Sequence, residues 1–122
     1  MSDNPSPIEG EWRSNLGSTM DVRLDGVVLS GTYTTHIGST KGTYPLSGFA
    51  NLDDDGIGTI GWTVVWKNAD GNQHGVTTWT GQVQVQGGNL LMETTWLYVT
   101  QTVPSENWDS LRLGFNLFTQ VE

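Results

Sequence analysis

The sequence has 122 residues, which is the size of one domain. Its 13 acidic and 5 basic residues give a net charge of −8, so phosphate backbones and anionic membrane surfaces would be repelled, and neither nucleic acid nor a membrane is an expected partner. The absence of cysteine excludes disulfide frameworks, thiolate metal sites and thiol nucleophiles.

Turn-forming residues divide the chain at short intervals and predict eight strands. The predicted strands cover residues 10–16, 18–24, 27–36, 43–51, 57–67, 74–86, 89–100 and 110–121. No segment carries a continuous helical stripe, and no link is long enough for a crossover helix, so neighbouring strands should pair antiparallel. We therefore expect an all-β domain over residues 10–122, an eight-stranded antiparallel up-and-down β-barrel, preceded by a frayed tail over residues 1–9. An open sandwich is the competing architecture.

Six tryptophans are many for so small a core, and several share a strand face with hydroxyl groups. Residues two apart in a strand lie on the same face, which places Thr77 with Trp79, and Trp96 with Tyr98. Indoles that only fill a core need no polar group beside them, so these faces favour a small-ligand site inside the barrel. Simple filling of the interior is the alternative.

Nine stretches, in order from Gly10 to Val121, resemble the avidin and streptavidin family of biotin-binding proteins. They cover residues 10–12, 16–18, 31–33, 44–48, 61–68, 77–82, 95–97, 108 and 114–119, and include GWTVVWKN at 61–68 and TTWTGQ at 77–82. The resemblance implies a barrel whose open end holds biotin, with the ureido head deep and the carboxylate at the mouth. It implies binding and sequestration, with no catalytic residue, no metal and no cofactor.

The resemblance also assigns polar contacts to the ureido head of the ligand. Ser18 and Tyr33 would donate hydrogen bonds to the ureido oxygen, and Thr35 would accept one from a ureido N–H. Thr77 and Asn116 would meet the ring sulfur and the other N–H. Such neutral donors and acceptors suit a neutral ligand head in a dry site, where each hydrogen bond is stronger than in water.

The apolar walls and the mouth follow from the same resemblance. Trp66, Trp79 and Trp96 would enclose the fused rings. The backbone of Ser39 would meet the carboxylate, and Tyr44 would lie near the rim.

Two positions depart from what the family usually carries. Ser14 stands where an Asn amide commonly completes the contacts to the ureido oxygen, and alternation turns the neighbouring Asn15 to the opposite face. Gly75 stands where a Ser hydroxyl commonly meets the carboxylate. These changes predict weaker biotin binding than in the tightest relatives. Tyr98, often Leu in the family, either fills space or replaces a lost contact.

An oligomer is expected from the resemblance and from the last strand. A Trp corresponding to Trp108 reaches a neighbouring subunit in the family, which favours a homotetramer. A plug in its own barrel is the alternative for Trp108. If Asn116 points inward, Leu113 and Phe115 lie on an apolar outer face, which also favours association.

Other chemistries are weakly supported. The Asp53–Gly56 segment lacks the spacing of a calcium loop and indicates a solvated turn, and neither His36 nor His74 has a second metal ligand at a typical spacing. No nucleophile-elbow pattern frames a Ser, so an enzyme is not expected. The alternative from another class is a carbohydrate-binding module, in which the indoles would lie on an exposed face.

The sequence leaves the compartment open. Residues 1–10 carry neither a basic segment nor an apolar one, so they do not form a secretory signal as written. The resemblance implies secretion, whereas the cytoplasm is expected if the chain as written is complete.

Overall fold

The structure, a computed structural model, describes residues 6–36, 41–68 and 71–121, with only the backbone at 68 and 71–74. Eight strands form one closed barrel in chain order. The strands are β1 (Gly10–Ser14), β2 (Thr19–Asp25), β3 (Val28–Thr35), β4 (Gly42–Leu52), β5 (Gly58–Asn68), β6 (Gly71–Gln86), β7 (Asn89–Thr100) and β8 (Leu111–Gln120), and a 3₁₀ helix spans Pro104–Asp109. No helix in the described part of the chain is long and apolar enough to cross a membrane.

The barrel closes because the first strand pairs with the last. Trp12 lies opposite Gln120, and Ser14 lies opposite Phe118, in an antiparallel β1–β8 pair. All other neighbours also pair antiparallel in sequence order. The predicted all-β barrel is therefore confirmed and the open sandwich is wrong, since closure leaves neither β1 nor β8 as an exposed edge.

Alternation along the strands separates the interior from the outer surface. On β5, Trp62, Val64 and Trp66 are buried while Val65 between them is 57% exposed. Because consecutive strands are antiparallel, the last residues of β1, β3, β5 and β7 and the first residues of β2, β4, β6 and β8 lie at one end of the barrel, here called the upper end. The opposite, lower end carries the β2–β3, β4–β5 and β6–β7 turns, the start of β1 and the end of β8.

The segment before β1 closes the lower end. Ile8 is fully buried, and its carbonyl accepts a hydrogen bond from Trp12 Nε1 at 2.8 Å. Gln120 Nε2 donates to the carbonyl of Pro7 at 2.8 Å, and Glu9 Oε2 accepts from the backbone N–H of Leu24 at 2.7 Å. The expected frayed tail over residues 1–9 is therefore wrong for residues 6–9. These residues are held against the barrel because burying the apolar side chain of Ile8 is more favourable than leaving it exposed to water. Residues 1–5 lie outside the described range.

Removing this plug should cost stability. We expect Ile8→Ala to lower the free energy of unfolding by about 2–5 kcal/mol, the usual cost of truncating a buried Ile. Chemical denaturation measures this, with Val85→Ala as the control, since Val85 is 53% exposed. Equal stability of the two variants would contradict the plug.

Candidate ligand-binding site

The upper half of the barrel interior brings together most of the residues assigned from the sequence. Buried there are Ser14, Ser18, Tyr33, Thr35, Tyr44, Trp66, Thr77, Trp79 and Asn116. Trp96 is partly buried and packs against the core. Ser39 lies outside the described residues. Trp108, in the 3₁₀ helix, is 79% exposed, so the alternative that it plugs its own barrel is wrong.

Aromatic rings from four neighbouring strands, β3 to β6, form the wall of this site. The Tyr33 and Trp79 ring centroids lie 4.8 Å apart, and the edge of Trp66 meets Tyr33 and Tyr44 at 6.0 and 4.9 Å. Below them Trp62 stacks on Trp79 at 5.4 Å, which supports that ring from the deep side. Edge-to-face and offset contacts of this kind hold the rings in fixed orientations.

Trp66 on β5 and Trp79 on β6 are each hydrogen-bonded to a polar side chain that could meet a ligand. Trp66 Nε1 donates to Thr77 Oγ1 at 2.7 Å, and Trp79 Nε1 donates to Asn116 Oδ1 at 3.2 Å. The indoles thereby satisfy their only donor and orient the polar groups beside them. The mixing of indoles with hydroxyl groups, predicted from strand faces, has its structural reason in the Trp66–Thr77 hydrogen bond.

Ser14 organises the β1–β2 turn. Its Oγ accepts hydrogen bonds from the backbone N–H groups of Leu16, at 3.2 Å, and Ser18, at 3.0 Å. Because a hydroxyl has two lone pairs and one hydrogen, the Ser14 hydrogen stays available for donation. Ser14 therefore fixes the turn that carries Ser18 and can itself act as a donor.

Tyr33 is kept neutral in this environment. Burial raises the pKa of its phenol, while the side-chain hydrogen bond with Ser18 acts in the opposite direction. A neutral phenol retains its O–H, so Tyr33 can donate a hydrogen bond up to alkaline pH.

Gly75 and Tyr98 fit against each other at the upper end of β6 and β7. A Cβ atom added at position 75 would lie 2.7 Å from Cε1 and 2.8 Å from the hydroxyl oxygen of Tyr98. The Tyr98 ring therefore occupies the space that a side chain at position 75 would need. Of the two alternatives for Tyr98, the geometry shows space filling, with its hydroxyl beside the Gly75 backbone.

Sequence reasoning missed Asn15. Alternation turned it away from the site, and its side chain is exposed, yet its Oδ1 accepts hydrogen bonds from Asn116 Nδ2 at 3.3 Å and the backbone N–H of Leu117 at 3.2 Å. Asn15 follows the last residue of β1, where strand alternation no longer applies. A turn position next to a predicted site residue was the available signal.

The structure also places the acidic segment and the histidines. Asp53 Oδ1 accepts from the backbone N–H groups of Asp55 and Ile57 at 2.9 and 3.0 Å, which is a side-chain-capped turn. No group of three potential metal-ligating side chains occurs among the described residues. His36 is exposed, and the His74 side chain lies outside the described part.

The sequence that folds into this barrel matches a known family. The profile of the Avidin family matches residues 2–121. The chain belongs to the avidin family.

The chain is similar to avidin of Gallus gallus, which is 30% identical over 132 residues that cover 99% of this chain and 82% of that protein. Avidin-related protein 4/5 of Gallus gallus is 28% identical over 127 residues, covering 99% of this chain and 82% of that protein. Afifavidin of Afifella pfennigii is 31% identical over 120 residues, covering 93% of this chain and 69% of that protein. The avidin resemblance read from the sequence is confirmed.

The raised pKa of Tyr33 predicts a pH-dependent stability in this avidin-like barrel. A raised folded-state pKa gives a contribution that is present below about pH 10, where unfolded tyrosine titrates, and lost as pH rises through the folded pKa. The free energy of unfolding should therefore fall more steeply above pH 10 in the natural protein than in Tyr33→Phe. Urea unfolding between pH 8 and 11 measures both slopes, and equal slopes would contradict the assignment.

The Gly75–Tyr98 fit predicts a coupled pair of substitutions. We expect Gly75→Ser to destabilise the protein by about 1–3 kcal/mol, the usual cost of overpacking, because Tyr98 must leave its place. In a Tyr98→Leu background the same change should cost much less, since the obstructing ring is gone. A double-mutant cycle in urea measures the coupling. Additive effects would show that Tyr98 does not fill this space.

Proposed function

We propose that this protein binds biotin in the upper half of its barrel and catalyses no reaction. One observation carries the proposal: inside an avidin-family barrel, a buried aromatic wall surrounds polar groups that are all neutral. Such a site suits a ligand with apolar rings and a neutral, strongly hydrogen-bonding head. Biotin, with its ureido group on fused rings, has this chemistry.

The ureido oxygen would be bound at the β1–β2 turn. Ser18 and Tyr33 are buried and joined by a hydrogen bond, and Ser14 retains a hydrogen to donate. Once the ligand replaces the Ser18–Tyr33 hydrogen bond, three donors around one carbonyl oxygen would stabilise its partial negative charge. Ser14 is shorter than the usual Asn, so its hydrogen bond would be longer or pass through water.

The remaining ring atoms would meet the opposite wall. Thr35 would accept from one ureido N–H, Asn116 would accept from the other, and Thr77 would contact the sulfur. Trp66 holds the Thr77 side chain in place through its indole N–H, and Trp79 holds that of Asn116 in the same way. With Trp96, these indoles would enclose the rings, and their fixed orientations reduce the entropy lost on binding.

At the mouth, the carboxylate contact would come from the backbone of Ser39, with Tyr44 near the rim. Gly75 adds no side chain, and Tyr98 occupies the adjacent space. Losing one net hydrogen bond costs about 0.5–1.5 kcal/mol. Ser14 and Gly75 together therefore lead us to expect faster biotin release than from the tightest relatives.

A second copy of the chain is the proposed partner of the outer surface. Leu111, Leu113, Phe115 and Leu117 alternate along the outside of β8 and are 43–73% exposed. On β7, Leu97 lies opposite Leu113, which widens the apolar stripe. Exposed apolar area of this extent is typical of a subunit interface. We propose a homo-oligomer, a tetramer, in which the exposed Trp108 reaches a neighbouring subunit's site.

Calorimetric titration tests the proposed ligand. We expect saturation near one biotin per chain, with quenching of tryptophan fluorescence because indoles line the site. Mono- and oligosaccharides serve as controls for the carbohydrate-binding alternative, and light scattering counts the subunits. Neither heat nor a rise in melting temperature with biotin, at concentrations that fill any useful site, would refute the proposal.

A further inference from the structure

We propose that Asn15 is a positioning residue that fixes which atom of the Asn116 amide faces the ligand. The inference rests on the proposed function, because it concerns selectivity at the same site. Asn15 lies outside the wall. Among the described residues, Asn116 is the one site residue to which the Asn15 side chain is hydrogen-bonded.

A series of three hydrogen bonds crosses the barrel wall at Asn15. The backbone N–H of Leu117 donates to Asn15 Oδ1 at 3.2 Å, and Asn116 Nδ2 donates to the same oxygen at 3.3 Å. Trp79 Nε1 then donates to Asn116 Oδ1 at 3.2 Å. The two linked amides thus lie between the backbone N–H of Leu117 at one end and the indole N–H of Trp79 at the other.

The two N–H groups at the ends determine the donor and the acceptor of every hydrogen bond in this series. A backbone N–H and an indole N–H can only donate, so the atom facing each must be an oxygen. With Asn15 Oδ1 facing Leu117, the atom of Asn116 beside it must be the donor Nδ2. Rotating the Asn116 amide by half a turn would set oxygen against oxygen and N–H against N–H. Asn15 therefore adds a second constraint to the one that Trp79 supplies.

Asn15 is itself held to β8 by the backbone. Its N–H donates to the carbonyl of Leu117 at 2.9 Å, and Leu117 returns a hydrogen bond to its side chain. On the inner side, Thr94 Oγ1 donates a hydrogen bond to the backbone carbonyl oxygen of Asn116 at 3.0 Å, which fixes the backbone at that residue. Neither amide can reorient without breaking contacts to a neighbouring strand or turn.

This arrangement determines what a ligand must offer. Asn116 Oδ1 has two lone pairs, of which Trp79 uses one, so the other can accept an N–H from the ligand. The Asn116 amide is buried, and an unmatched donor there would cost the full loss of hydration. The site should therefore select a ligand that presents an N–H at this point.

Titrating site variants against ligand analogues tests the proposal. The ligands are biotin and two analogues, each with oxygen in place of one ureido N–H. Asn15→Leu, which removes the acceptor at similar size, should weaken biotin binding about 5- to 150-fold, the equivalent of about 1–3 kcal/mol. The loss should nearly vanish with the analogue that lacks the N–H facing Asn116, and persist with the other analogue.

Two further variants complete the design. Asn15→Asp keeps an acceptor for Nδ2 and should bind biotin within a few-fold of the natural protein. Gln120→Leu removes a different bridging amide at the lower end and should leave biotin binding unchanged. If Asn15→Leu does not fold, as judged by its melting curve, Asn15→Ser replaces it, since the shorter side chain cannot reach Nδ2.

The outcomes separate the two proposals. An equal loss for biotin and both analogues would show that Asn15 only supports the fold, and undiminished biotin binding by Asn15→Leu would show that it has no role. Either result overturns the inference while biotin binding stands. Failure of the natural protein to bind biotin would refute the proposed function and this inference with it.

Discussion

The pairing of β1 with β8 is the constraint on which the rest of the structure depends. It closes the sheet, so every strand presents one row of side chains to a common interior. It also brings residue 15, at the start of the chain, against residues 116 and 117 near its end. Without closure, the aromatic wall on β3, β4, β5 and β6 would face solvent, and the turn that carries Ser18 would have no strand opposite it. Closure therefore forms the site and makes it rigid.

The site combines apolar walls with neutral polar groups in a chain whose net charge is −8. The described residues assigned to ligand binding carry no formal charge. Because the site residues are neutral, no charged group has to be desolvated. The indole N–H groups of Trp66 and Trp79 instead orient a hydroxyl and an amide. Trp62 differs, because its buried Nε1 has no partner among the described contacts and its ring acts as a support beneath Trp79. Rigidity and neutrality together favour slow release of a neutral ligand head.

Much of this could be predicted from the sequence, because alternation and turn residues are local signals. The predicted strand 89–100 matches β7, and the other strands differ by one to three residues at their ends. The faces that carry Trp66, Thr77 and Trp79 followed from the same period. Two features escaped because they depend on contacts between distant segments: the Ile8 plug and the Asn15–Asn116 bridge. For the same reason the sequence left two alternatives open for Tyr98, and its fit over Gly75 decides between them. Period-two reasoning describes strands, and it fails at turns and beyond strand ends.

The central claim is that the barrel holds its ligand-binding groups in place before biotin arrives. A crystal structure of the protein grown with biotin tests this most directly. We expect the ureido group to lie within hydrogen-bonding distance of Ser18, Tyr33 and Asn116, with the Trp66–Thr77 and Trp79–Asn116 hydrogen bonds unchanged. Biotin bound on the outer surface, or an interior in which these bonds break to admit it, would contradict the account.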